Sequence, residues 1–132
     1  MVEHYHTVVW IDHHEARTIH FNPNAAEEEI VHPAHPPRHL HAKAGSAAGT
    51  HVTDEPEFYA DVAASLGAAK AILVTGPSTA KTEFIKYVHR HHPQLLDRIW
   101  GIETLARVTD HQLVAEGRRF FAKADRMHSQ LG

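Results

Sequence analysis

Three carboxylates stand where they could hold metal ions. Asp12 ends an apolar run, Glu57 lies in a helical stretch, and Asp110 opens another. Carboxylates gathered around two divalent cations clamp the attacking and leaving oxygens of a phosphodiester, which is nuclease chemistry. Asp110 also suits a helix start, a structural role that needs no metal. A second group is richer. Fifteen histidines are scattered along the chain, and His32, His35, His39 and His41 lie within ten residues. Neutral imidazole ligates zinc, copper or nickel. The spacing H-x2-H-x3-H-x-H is broken by Pro36-Pro37 and matches no standard site, so adventitious zinc or nickel is the most it implies, with no dedicated cofactor. With Arg38 and Lys43, the same histidines make a conditionally cationic loop suited to RNA phosphates.

The third feature is KAILVTGPSTAKTEFIKYV, Lys70 to Val88. It reads as a buried strand, a Gly76-Pro77 turn, and a helix entered through Ser78 or Thr79. Glycine permits a backbone angle that other residues resist, and proline fixes the next one. Ala80, Phe84, Ile85 and Val88 repeat at helical spacing. A phosphate loop wants GxxxxGK[ST]. Here Ala80 precedes Lys81, so the second glycine is missing, although Lys81 at a helix start can still meet an RNA phosphate.

Composition narrows the class. The chain has 132 residues, 42% of them hydrophobic, which suits one domain with one core over residues 1–132. It has no cysteine, which removes disulfides and thiolate ligands and makes the cytoplasm the expected compartment. The opening MVEHYHTVVWIDHHEA has neither the basic region nor the long apolar run of a signal peptide, and no apolar stretch suits a membrane span. Formal net charge is -3 with histidine neutral. Protonating half of the histidines would move it to about +4, so mild acid should change the charge sharply.

The elements follow from pattern. Strands are expected at 7–11, 16–21 and 28–32, the first two forming a hairpin around Asp12-His13-His14-Glu15. The stretch 33–53 is proline-rich, then rich in Ala, Gly and Ser, and reads as a long exposed loop. Asp54 is expected to cap a helix with Pro56 in its first turn. The central strand 71–74 and a helix 78–92 follow, stopped by Pro93. His89-Arg90-His91-His92 closes that helix, where positive charge suits the macrodipole. A strand at 99–103 precedes a last helix, opened by a Thr109–Gln112 capping box. Trp10, Trp100, Phe84 and Phe120 read as core. Arg118, Arg119, Lys123 and Arg126 read as a solvated face, and His13 and His14 as solvated turn residues.

The order β-β-β-α-β-α-β-α is that of a ribonuclease H-like α/β domain with a mixed five-stranded sheet and flanking helices. In such nucleases a carboxylate usually ends the fourth strand. Here that strand ends in Thr75-Gly76, so the metal set is incomplete.

GPSTAK and the opening VVWIDHHEARTIHF resemble the middle domain of the archaeal and eukaryotic peptide-release factor and its ribosome-rescue relative Pelota. The resemblance implies a translation-related domain in contact with the ribosome. In release factors the loop before the first helix carries Gly-Gly-Gln, which promotes peptidyl-tRNA hydrolysis. The corresponding stretch, Lys43 to Gly49, has no glutamine, so peptide release is not expected; Pelota also lacks the triplet. The release factor's codon-reading and GTPase-binding domains do not fit in 132 residues, so ribosome binding would proceed without decoding or with a partner. The expected function is non-catalytic binding of the ribosome or structured RNA. Its contacts would be Arg38, His39, His41, Lys43, Gly45, Ser46 and Gly49, with Lys81 as a second phosphate contact. The alternatives are a nuclease or phosphoesterase using Asp12, and an oligomeric module pairing through the edge strand Glu28–His32.

Overall fold

A computed structural model describes residues 6–33, 47–67 and 69–131; of 47–55 and 127–131 it describes the backbone alone. Strands β1 (His6–Ile11), β2 (Ala16–Phe21) and β3 (Ala26–Val31) come first. Helix α1 (Ala47–Leu66), strand β4 (Ala71–Gly76) and helix α2 (Ala80–His91) follow, then short α3 (Pro93–Leu96), strand β5 (Ile99–Thr104) and helix α4 (Asp110–Leu131). The sheet order is β3-β2-β1-β4-β5. β1 and β2, and β2 and β3, pair antiparallel; β1 and β4, and β4 and β5, pair parallel. This is the expected ribonuclease H-like arrangement.

The two faces of the sheet explain the strand sequences. Val9, Ile11, Ile72 and Val74 point toward α1, α2 and α3, where Phe58, Val62, Leu66, Phe84 and Val88 complete a core. Val8, Trp10, Ile19, Phe21 and Leu73 point the other way, onto Leu113 and Phe121 of α4. A strand covered on both faces needs an unbroken apolar run. Central β1 and β4 have one; edge strand β3, exposed at five of its six positions, carries Glu27-Glu28-Glu29 instead. A chain of polar groups fastens α1 to β2. The Ser65 hydroxyl donates to the Val62 carbonyl (2.6 Å) and accepts from Thr18 (2.8 Å). The His20 Nε2–H donates to the Ser65 carbonyl (2.9 Å), which leaves Nδ1 to accept from Thr7 (2.8 Å).

Both hairpin turns use one device. Asp12 Oδ1 accepts from the backbone N–H groups of His14 and Glu15, and Asn22 Oδ1 accepts from those of Asn24 and Ala25. At β5 the register with β4 shifts between Ile72 and Leu73, making Trp100 an extra residue. That bulge turns the Trp100 ring onto Phe121 (5.9 Å) and blunts the edge.

Several element boundaries differ from expectation. Helix α1 begins at Ala47, not at an Asp54 cap; Asp54 and Pro56 lie inside it. Pro56 removes the one backbone bond it would donate, and the helix runs through it. The expected loop at 33–53 therefore gives up 47–53 to the helix, and 34–46 lies outside the described residues. Thr79 occupies the cap position of α2 without a side-chain cap bond, because its hydroxyl turns to Glu83 (3.4 Å). Pro93 opens α3 as well as ending α2, a position its fixed backbone angle favours. The capping box of α4 forms as expected: Thr109 Oγ1 accepts from the Gln112 N–H (3.1 Å), and Gln112 Oε1 from the Thr109 N–H (3.0 Å).

Gly76 has a steric cause. A Cβ there would lie 2.2 Å from the Ile11 carbonyl oxygen, so β1 and β4 close on each other only with glycine at that point. Gly76→Ala is expected to lower stability by about 3 kcal/mol, read from urea unfolding followed by tryptophan fluorescence. A wild-type midpoint would mean that this approach tolerates a methyl group.

Candidate functional site

Topology gathers the chemistry at one end of the sheet. β1 and β3 both run opposite to β2, and β4 and β5 run parallel to β1, so four of the five strands point the same way. Helices α1, α2 and α4 all start at that end. So do the 12–15 turn, the Gly76-Pro77 turn and the chain leaving β3 at Val31. The carboxyl ends of strands are where open α/β sheets place their ligands.

On the α4 side of this end, Glu15 is the hub. It is ion-paired with Arg107 (2.5 Å) and Arg17 (3.7 Å), and His32 Nε2 lies 3.5 Å from its other oxygen. Arg17 is only 7% exposed. Its Nη1 donates to Asp110 (2.5 Å) and its Nη2 to the Val108 carbonyl (2.8 Å). Trp10 lies against both guanidinium groups, with Arg17 at 5.0 Å and Arg107 at 5.2 Å from its ring centre. The indole N–H is shared by the Leu105 and Ala106 carbonyls (3.1 and 3.2 Å). This network fixes the 105–109 segment to the first hairpin. Asp110 also faces Glu28 of β3. Burial and the neighbouring Asp110 carboxyl raise the Glu28 pKa above the carboxylate norm. Burial pushes Asp110 the same way, but hydrogen bonds from Glu28 and Arg17 outweigh it and hold Asp110 low.

On the other face Glu83 is the centre. His13 Nε2 lies 3.2 Å from its Oε1, and Tyr59 donates to the same oxygen (3.0 Å). Burial alone would raise the Glu83 pKa, yet the bonds from His13, Tyr59 and Thr79 bring it below the ordinary value. His13 is thus a tie between the first turn and α2 rather than a merely solvated residue. Lys81 folds back so that Nζ donates to the Ser78 carbonyl (2.9 Å), over the Gly76-Pro77 turn.

The sequence-derived candidates divide. Gly76, Pro77 and Lys81 share one turn. Asp12 commits Oδ1 to its own turn, Glu57 is exposed on α1, and Asp110 pairs with Arg17 instead of a metal. Asp110 is not the cap of α4 either, since Thr109 takes that part. His32 is exposed and turned to Glu15. Gly49 lies in the first turn of α1, where it was expected in a loop. His35, Arg38, His39, His41, Lys43, Gly45 and Ser46 lie outside the described residues. Among the described residues no group of three or more His, Cys, Asp or Glu could hold a metal ion, and no helix is long and apolar enough to cross a membrane. Sequence reasoning missed Glu15, Arg17, Arg107, Tyr59 and Glu83; the one local signal was Arg17 within an otherwise buried strand.

Solved structures place this fold. Over 87% of its length the chain is similar to 31% of Archaeoglobus fulgidus Pelota, with a TM-score of 0.60 and 16% identity. It is similar to an archaeal translation termination factor, aRF1, over 95% of this chain and 39% of that one, with a TM-score of 0.58 and 14% identity. For Saccharomyces cerevisiae Dom34, a translation termination-like factor, the values are 84% and 31%, 0.52 and 11%. The chain spans about a third of the length of these proteins. No family model matches it, and no curated protein does. Its fold is that of a release-factor-like domain, as GPSTAK and the opening hairpin implied.

Arg17→Met is expected to cost about 2–3 kcal/mol in denaturant unfolding, because Glu15 and Asp110 lose their shared buried cation. Asp110→Asn should cost less, since that carboxylate is half exposed. Glu83, whose pKa is lowered, contributes stability that is present above the unfolded-state value and lost as pH falls through the folded value. Glu83→Gln should therefore flatten the acid limb of a Tm-against-pH profile below about pH 5. At neutral pH the loss should be no more than about 1 kcal/mol, because the pair is partly exposed.

Proposed function

We propose that this protein is a non-catalytic ribosome- or RNA-binding protein of the translation-factor kind, acting in rescue, hibernation or stress. The observation that carries the reading is one fold shared with Pelota, aRF1 and Dom34. Dom34 is described as acting in RNA quality control and interacting with Hbs1. The segment from Arg38 to Ser46 is the RNA probe, continued by Gly49 at the start of α1. Its anchors, Val31 and Ala47, stand at the end of the sheet that carries Gly76-Pro77 and Lys81. Lys81 is a second phosphate contact, reached when Nζ leaves the Ser78 carbonyl. A hydrolytic role has less support, because Asp12 and Asp110 are engaged in a turn and an ion pair.

Sucrose-gradient co-sedimentation with purified ribosomes tests this, at low and high salt and at pH 6 and 7.5. Binding should be salt-sensitive, strengthen at pH 6 and fall on Arg38→Ala/Lys43→Ala. No co-migration in any condition would sink the ribosome reading. RNA hydrolysis abolished by Asp12→Ala, with binding unchanged, would replace it with the nuclease reading.

A further inference from the structure

The far end of the molecule holds a second concentration of basic residues. From Phe84 to Leu96 the chain has no acidic residue, while it carries Lys86, His89, Arg90, His91 and His92. Lys86, His89, Arg90 and His91 are exposed. Because α2 runs back along the sheet, these residues lie beside the start of β4. Exposed Lys70 stands there, and Arg98 donates to the Ala69 carbonyl (3.4 Å). The macrodipole accounts for some positive charge at a helix end. It does not account for two further features.

The first is that this charge is not spent internally. Four arginines elsewhere are engaged, Arg17 with Asp110, Arg107 with Glu15, Arg119 with Glu116, and Arg118 with the Asn22 carbonyl, while Lys123 and Arg126 near the end of α4 form no ion pair among the described residues. Lys70, Lys86 and Arg90 form no ion pair among the described residues. From Phe84 to Arg98 the fixed cations Lys86, Arg90 and Arg98 stand against one carboxylate, exposed Asp97, so this stretch is net positive in a chain of net charge -3. The second feature is aromatic. Tyr87 is half-buried, with its ring 4.5 Å from that of His91 and 5.7 Å from that of His92. Unpaired cations beside an aromatic ledge are what single-stranded nucleic acid uses, phosphates on the charges and bases on the rings.

We propose that the C-terminal half of α2, with Lys70, is a second contact for single-stranded RNA. It is separate from the turn that opens the same helix. Twelve residues of α2 put the two ends about 18 Å apart, so one RNA strand or two neighbouring ones can meet both. The inference rests on reading the chain as an RNA binder and adds where, and to which form of RNA, it binds.

The test is fluorescence anisotropy of the full chain with a labelled unstructured RNA, titrated at several salt concentrations. The variants are Lys86→Gln/Arg90→Gln, Tyr87→Leu and, separately, Arg38→Ala/Lys43→Ala. Glutamine keeps helix propensity, and circular dichroism melts check that each variant is folded. Lys86→Gln/Arg90→Gln should weaken binding about tenfold and flatten the log–log salt slope by about 1.4, the value for two phosphates on a single strand. Tyr87→Leu should weaken binding and leave the slope unchanged. If both α2 variants bind like the wild type while Arg38→Ala/Lys43→Ala fails, the second contact is wrong and the first stands. If the wild type binds no RNA, both fall.

Discussion

The parallel pairing of β1 with β4 is the contact on which the rest of the molecule hangs. Five residue pairs, from His6–Ala71 to Trp10–Thr75, hold two apolar strands together, and Gly76 seats against the Ile11 carbonyl beyond them. A slip of one residue would send every side chain of β1 to the opposite face. In the observed register Val9 and Ile11 join the α1–α2 core, while Val8 and Trp10 join that of α4. The same register sets the 12–15 turn beside the start of α2, so that His13 reaches Glu83. It also carries Trp10 to the Leu105 carbonyl, while the Leu105 N–H returns to the Gly76 carbonyl (2.9 Å). Glycine in GPSTAK is thus explained by packing, before any ligand is considered.

Charge is arranged on this frame in two ways. Around Glu15 and Asp110, cations and carboxylates are matched. Desolvating such groups offsets much of their attraction, so the network's main effect is to fix position. It holds the entry to α4, the first hairpin and the base of β3 in one arrangement. In the C-terminal half of α2, Lys86 and Arg90 form no ion pair among the described residues, which leaves their charge for something outside the chain. A nearly neutral protein can bind a polyanion when its charge is segregated in this way.

Much of the fold was legible because its signals are local. β2 spans 16–21 in pattern and in structure, and the Thr109–Gln112 box marks the last helix correctly. The start of α1 was not legible. Asp54-Glu55-Pro56 is a strong local start signal, and in the fold it lies inside a longer helix. The candidate site was legible in part. Gly76, Pro77 and Lys81 could be read from one turn. The Glu15–Arg107 pair could not, since its members are 92 residues apart and no spacing announces them. Asp110 was visible as a carboxylate, but its role follows from Arg17, 93 residues away.

The most direct measurement is photocrosslinking of the intact chain to purified ribosomes, with the modified peptides identified by mass spectrometry. The account predicts RNA adducts on the peptide spanning 34–46 and near Lys81. Adducts confined to the β3 edge or the outer face of α4, or none at all, would contradict it.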